Sequence, residues 1–284
     1  MTTSAVLLLA CPDRPGIVSQ VSTHIAEQGG NILRAEQSEA VADSHFYQRI
    51  HFDNPGGGID LDVFRVGFAP LAQRLGADWS LHAMDVPQRT AILVSRHPHC
   101  LLDLLGRWRV GDIPAEITAI ISNHEETRDI AEGFGLAFHH LPVAPETKEA
   151  QETALDDLLR ELEVELVVLA RYMQILSDPF IARWSGKVIN IHHSFLPAFP
   201  GAKPYHQAME RGVKLIGATA HYATADLDEG PIIAQGVTAT SHRDSVADFV
   251  RRGREVEAMV LASAVRAHLE HRVIVAGGRT IVFE

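Results

Sequence analysis

Long apolar runs are missing from this 284-residue chain. None approaches the roughly 18 residues of a membrane-spanning helix, so no helical span is expected. The opening M-T-T-S-A-V-L-L-L-A reaches Pro12 and Asp13 after six apolar residues and has no basic stretch before them, which argues against a secretory leader. Cysteine is scarce: Cys11 and Cys100 give neither a C-x-x-C pair nor a disulfide framework, which fits a reducing compartment and makes the cytoplasm the expected location. Basic charge is short as well. With 25 Lys and Arg against 36 Asp and Glu the formal net charge is −11, so non-specific nucleic-acid binding, which depends on cations neutralising phosphates, is a poor expectation. Internal repeats and low-complexity tracts are absent too. What remains is 46% hydrophobic and 21% charged, a globular composition long enough for about two domains at roughly 100–200 residues each.

Residues 5–10 (A-V-L-L-L-A) predict a buried strand and C-P-D-R-P-G a turn. Ile17, Val18, Val21 and Ile25 then recur at helical spacing up to Gly29-Gly30. Strand-like runs at 31–41 and 45–52, a Gly-rich loop at 56–58, a helix over 61–75 and a strand over 79–84 complete the order βαββαβ. That order predicts a small ferredoxin-like α+β domain over 1–86, with a four-stranded antiparallel sheet and both helices on one face. Residues 87–90 read as a linker. Beyond them strands (91–95, 117–122, 139–143, 166–171, 188–192, 215–222) alternate with helices (99–110, 125–134, 147–162, 246–269). The closing V-I-V-A-G-G-R-T-I-V-F fits a hairpin turning at Gly277-Gly278. The fold class is therefore α/β, the second domain being a Rossmann-like, mostly parallel sheet over 91–284 that gathers ligands beyond its strands' carboxyl ends.

Chemically demanding residues crowd into N-I-H-H-S-F-L-P-A-F-P-G-A-K-P-Y-H-Q-A (190–208) and G-A-T-A-H-Y-A-T-A-D-L-D-E-G-P-I-I (217–233). Asn190 and His192, two apart at the end of an apolar strand, project from one face about 7 Å apart. Asp228, following a second strand, can bring a carboxylate to the same cleft. Such a set suits acyl-transfer chemistry: Asn190 to donate to an oxyanion, His192 to donate or move protons, Asp228 to orient His192 or the nucleophile. Spacing alone equally allows each to be a cap or turn residue, and Asp226 and Glu229 compete with Asp228. His193, adjacent to His192 on a strand, is expected on the opposite face, and the roles of His139 and His140 stay open. No metal site is expected, because the histidines of this window form no H-x-x-x-H or H-E-x-x-H pair.

N-I-H-H-S-F-L-P and L-D-E-G-P-I together resemble the signature of the folate-dependent formyltransferase/hydrolase superfamily, with Phe195 where Leu is usual. The resemblance implies Asn190, His192 and Asp228 as the catalytic triad. It also implies folate contacts from the loop Ala223, Thr224, Ala225, Asp226, Leu227, and from Met173, Ile175 and Leu176 in L-A-R-Y-M-Q-I-L-S, although Ile175 and Leu176 equally read as core. The turn S-R-H-P-H-C after the first strand of this domain has no Gly, and its Pro98 lacks an N–H, so it is a poor nest for the phosphate of glycinamide ribonucleotide; Arg96, His97 and His99 keep that acceptor open. A methionyl-tRNA formyltransferase should carry a basic RNA-binding extension after its catalytic domain, so a net charge of −11 makes that activity a weak expectation.

The βαββαβ unit, with C-P-D-R-P-G-I-V and G-G-N-I, is similar to an ACT domain, and the whole chain resembles the formyltetrahydrofolate deformylase family. The resemblance implies hydrolysis of 10-formyltetrahydrofolate to tetrahydrofolate and formate, serving purine synthesis and one-carbon balance. No cofactor beyond the folate substrate is implied. It further implies glycine and methionine as effectors near Asp13, Gly16 and Asn31, and a homo-oligomer; Asp13 alternatively caps the following helix. A degenerate catalytic domain acting as a folate or amino-acid sensor is the reading from another class.

Overall fold

The computed structural model describes residues 1–40, 44–197 and 204–284. Contacts divide them into two compact units: Met1–Pro87 with Glu270–Ala276 and Thr280–Glu284, and Gln88–Leu269 with Gly277–Arg279.

The first unit runs β1 (Ser4–Pro12), α1 (Ile17–Glu27), β2 (Asn31–Ala40), β3 (His45–Asp53), α2 (Leu61–Leu75), β4 (Asp78–Ala83). Its antiparallel sheet has the order β2-β3-β1-β4. Alternation along β1 sends Ala5, Leu7, Leu9 and Cys11 towards α1 and α2, where Val21, Ile25, Phe64 and Phe68 complete a core. Asp60 starts α2 by accepting from the N–H groups of Asp62 and Val63.

Val6 and Leu8 face the other way, and the far end of the chain covers them. The hairpin β12 (Val273–Ala276) and β13 (Arg279–Val282) brings Ile274, Ala276, Ile281 and Phe283 against Val6, Leu8 and Tyr47. Arg49, 4% exposed, donates to the carbonyls of His271 (2.9 Å) and Glu270 (3.0 Å) and pairs with Glu36 at 2.9 Å. This corrects the expected second domain of 91–284: a sheet that is apolar on both faces needs two covers, and the hairpin is the second. The expected linker at 87–90 is corrected too, because β5 already starts at Gln88, paired with Ala115.

The second unit runs β5 (Gln88–Val94), α3 (His99–Arg109), β6 (Ala115–Ser122), α4 (Arg128–Gly133), β7 (Phe138–His140), α5 (Lys148–Glu161), β8 (Leu166–Leu169), α6 (Asp178–Arg183), β9 (Val188–His192), α7 (Pro204–Glu210), β10 (Leu215–Tyr222), β11 (Ile232–Ala239), α8 (Val246–Leu269). The sheet order is β11-β10-β9-β8-β5-β6-β7. β9, β8, β5, β6 and β7 are parallel, while β10 and β11 are antiparallel to their neighbours. Leu155, Leu159 and Phe180 of α5 and α6 pack on Leu93, Ile121 and Val167; α8 lies against β9, β10, β11 and α3. The chain moves outward from β5 through β6 to β7, then returns with β8 on the other side of β5. Such a reversal opens a crevice at the strands' carboxyl ends.

Candidate active site

β9 carries Asn190 and His192 to that crevice. Its register with β10 places His221 directly across from Asn190 and Thr219 across from His192. The loop after β10 brings Asp228, held at φ 60°, a left-handed conformation that Asp tolerates better than most residues. The loop must also fold back tightly. Tyr222 N–H donates to the Pro231 carbonyl at 3.0 Å, and a Cβ on Gly230 would stand 1.7 Å from the Tyr222 carbonyl oxygen, so the Gly of L-D-E-G-P admits no side chain.

His192, 6% exposed, directs Nδ1 at Asp228 Oδ2 across 3.1 Å. Its Nε2 is buried and has no hydrogen-bond partner among the described residues. His221 donates from Nδ1 to the Tyr222 carbonyl at 2.9 Å, and its Nε2 is 3.2 Å from Asn190 Nδ2 and 3.7 Å from Asp228 Oδ1. When that ring is neutral, Nε2 accepts from one amide hydrogen of Asn190 and leaves the second for a ligand; when it is charged, Nε2–H turns to Asp228. Burial alone would raise the Asp228 carboxyl, but the hydrogen bonds and charges of His192 and His221 outweigh it and hold the group well below the usual carboxylate range. The result is an ionised acid, an imidazole fixed by it and an amide, all converging on one cavity.

That cavity has a volume of about 380 Å³ and takes Asn190, His192 and Asp228 into its wall, within the size range of small-molecule sites. Of the residues expected against folate, Met173, Ile175, Leu176, Ala223, Thr224, Ala225 and Leu227 line it. Asp226 is not among the lining residues; the loop uses its carbonyl internally, as acceptor for the Thr224 hydroxyl at 2.9 Å and the Glu229 N–H at 3.3 Å. Met173, Ile175 and Leu227 are 55–60% exposed, an apolar rim around a polar floor. Residues 198–203 of the long motif lie outside the described residues.

Among the lining residues that the sequence did not place in the site are His221, Arg171 and His193. His221 was legible only as one histidine among several, because its place beside Asn190 depends on strand pairing. Arg171, at φ 64°, lines the cavity while its Nε sits 3.4 Å from Glu257 of α8. His193 lines it too, which corrects its expected place on the opposite face: β9 stops at His192 and the chain bends at 193–194, so alternation no longer holds. Among the described residues one group could hold a metal ion, His99, Cys100 and Glu257. Glu257 is already engaged by His99 at 2.8 Å, by Arg171 and by the Tyr205 hydroxyl, and burial pushes the Cys100 thiol far up, so these ligands are poorly prepared for an ion.

In the first unit Gly16 has φ 90° and starts α1, which Asp13 does not cap. Asn31 donates to Asp53 at 3.1 Å. Since β1 pairs Ser4 with Asp53 and Pro12 with His45, Asn31 stands at the opposite end of the sheet from Asp13 and Gly16. That is about 27 Å at ~3.4 Å per residue, so a single unit does not gather the three. A smaller cavity of about 200 Å³ lies at the Asn31 end, lined by Gln28, Phe52, Asn54, Asp60 and Phe64 among others.

Comparison with known proteins adds kinship. Residues 88–265 match the family model described as formyl transferase and residues 5–59 the one described as ACT domain. A formyltetrahydrofolate deformylase of Synechocystis is 50% identical over 280 residues, covering 99% of this chain and 98% of the relative. That of Bacillus subtilis is 46% identical over 278 residues, covering 98% and 93%. A crystal structure of a formyltetrahydrofolate deformylase from Pseudomonas syringae pv. tomato has a TM-score of 0.95 at 44% identity, over 100% of this chain and 95% of that one. A glycinamide ribonucleotide transformylase from Symbiobacterium toebii gives 0.66 at 33% identity, over 70% of this chain and 95% of that one.

Proposed function

The chain belongs to the formyltetrahydrofolate deformylases, hydrolases that join an ACT domain to a formyl transferase domain, and from that membership we propose that it hydrolyses 10-formyltetrahydrofolate in the cavity of Asn190, His192 and Asp228. One observation carries the assignment of roles. Asp228 holds His192 by Nδ1 at 3.1 Å, leaving Nε2 as the nitrogen without a partner among the described residues. Water attacks the formyl carbon and the carbonyl electrons move to oxygen. Charged His192, through Nε2–H, and the free amide hydrogen of Asn190 stabilise that oxyanion. Asp228 keeps the imidazolium oriented and compensated. Collapse breaks the C–N10 bond, N10 takes a proton, and formate and tetrahydrofolate leave. The apolar rim of Met173, Ile175 and Leu227 suits the flat pterin, and Ala223, Thr224 and Ala225 offer it backbone groups.

The same reading takes water rather than glycinamide ribonucleotide as acceptor. Of the cations of S-R-H-P-H-C, Arg96 pairs with Glu126 at 3.5 Å and His99 with Glu257 at 2.8 Å, and burial with the charges of Arg171 and Arg254 favours the neutral ring of His97. It needs no cofactor beyond the folate, and it supplies formate for purine synthesis from a cytoplasmic location. Among the described residues no helix is long and apolar enough to cross a membrane. For the ACT unit we retain glycine and methionine as effectors, with Asp13 and Gly16 of one copy completed by Asn31 of another. That arrangement agrees with their opposite positions on one sheet and requires a homo-oligomer.

The test incubates purified protein with 10-formyltetrahydrofolate, with and without glycinamide ribonucleotide, and follows formate. Formate without the ribonucleotide is expected, and N190A is expected to lose about a hundredfold or more of kcat, as removal of an oxyanion donor does. Formate that appears only with the ribonucleotide would make the protein a transferase. Folate bound with no turnover would favour a sensor.

A further inference from the structure

We propose that His193 is the base that takes the proton from the attacking water, which makes it a catalytic residue of the hydrolysis; the inference rests on the triad reading above. β9 ends at His192, and the bend that follows turns a second imidazole into the same cavity instead of into the core. The rings of His192 and His193 lie edge to face, 5.0 Å apart at 82°. Every other basic atom of the wall has a task. Asp228 is bound to His192, His192 is held through Nδ1, and His221 is held by Tyr222 and Asn190. Among the described residues no hydrogen bond or ion pair to a His193 nitrogen occurs.

The surroundings of His193 keep its lone pair available. The groups facing it are Arg171 from the segment after β8, His192 from β9, Tyr205 of α7, Asp228 from the loop after β10, and Glu257 of α8. Burial, then Arg171 and His192, favour the neutral ring; Glu257 and Asp228 oppose them, and the balance pushes the imidazole down to about 4. The backing is built rather than incidental. Glu257, 1% exposed, accepts from the Tyr205 hydroxyl, contacts His99 Nε2 at 2.8 Å and forms an ion pair with Arg171 at 3.4 Å, and Tyr205 stands edge to face with His193 at 6.3 Å. Arg171 keeps a left-handed backbone that a residue with a side chain rarely adopts unless its surroundings hold it there. In the reaction a water O–H bond breaks as the new C–O bond forms, and the proton goes to His193. The formyl C=O pair becomes the oxyanion held by Asn190 and His192. When the C–N10 bond breaks, its electron pair stays on nitrogen, which receives the proton from His193. The formic acid formed ionises to formate.

Two reactions of the one cavity test this on the full chain: hydrolysis, read as formate, and capture of the formyl group by added hydroxylamine, read as formohydroxamate. An amine attacks with its own lone pair, and the proton its nitrogen carries once the bond has formed goes to N10, so capture needs neither a base at the moment of attack nor protonated His193 at the collapse. H193Q and H193A are expected to lose about a hundredfold or more of hydrolytic kcat, while KM and hydroxylamine capture stay within about threefold of the wild type. Added imidazole should restore formate production to H193A. Unchanged hydrolysis in both variants, or equal loss of both reactions, overturns the proposal. N190A distinguishes this from failure of the triad reading: retention of both reactions there would remove the triad, not His193 alone. Should neither His193 variant fold, the wild-type kcat/KM, measured with a formyl-folate analogue carrying carbon at N5 so that acid cannot cyclise it, must rise through an apparent pKa near 4. A flat profile overturns the proposal.

Discussion

His193 also makes a thermodynamic claim at the scale of one residue. Its folded-state pKa of about 4 lies below the ordinary value near ~6.5, so the unfolded chain binds its proton more readily than the folded one. The stability linked to this group is fully present above the unfolded pKa and is lost as the pH falls towards 4. The difference of about 2.5 units corresponds to roughly 3 kcal/mol. Urea unfolding at pH 7 and pH 4.5 should show wild type losing stability more steeply than H193Q. Parallel losses in the two proteins would mean that the ring is not held neutral.

At the scale of one element, the loop between β10 and β11 is set by Gly230. Alanine there would drive its Cβ into the Tyr222 carbonyl at 1.7 Å, so G230A must lift the loop and carry Asp228 away from His192. The expected outcome is a loss of kcat comparable to that of D228N, about a hundredfold or more, with a near-native circular dichroism spectrum. A G230A enzyme of normal turnover would place Asp228 outside the chemistry. Elements of this kind divide what was legible in the sequence from what was not. β9, β10 and α8 were readable to the residue, because an apolar strand or a 24-residue amphipathic helix repeats its pattern over several periods. β11 was not, since its edge position leaves alternate residues exposed and Gly236, where a Cβ would stand 2.7 Å from the Val260 side chain, reads as a loop residue. α6 and α7, six and seven residues long, are too short to display a helical period. Within the site, Asn190, His192 and Asp228 stood out by motif. His221 becomes visible only through the β9–β10 register, and His193 escapes strand alternation because β9 ends one residue before it.

For the molecule as a whole, the partition of the chain matters more than its length. The first unit is discontinuous: the strands β1 to β4 are covered on one face by α1 and α2 and on the other by β12 and β13. Deleting residues 270–284 would expose Val6, Leu8 and Tyr47 and withdraw the two carbonyls that receive Arg49. Fully burying a side chain of this size contributes about 1.5–3 kcal/mol, so calorimetry of the shortened chain should show a lowered or missing transition for the first unit. An unaltered transition would show that the hairpin contributes little.

The same discontinuity imposes an order on biosynthesis. As the chain leaves the ribosome, the N-terminal sheet is made first but stays bare on one side until the segment beyond residue 270 has been translated. The second unit, whose sheet and helices lie within 88–269, meets no such delay. A nascent chain arrested before that point would carry an apolar sheet face in water, the kind of surface that chaperones and proteases recognise. Completion of the first-made part thus reports that translation has passed through the part that matches the formyl transferase family.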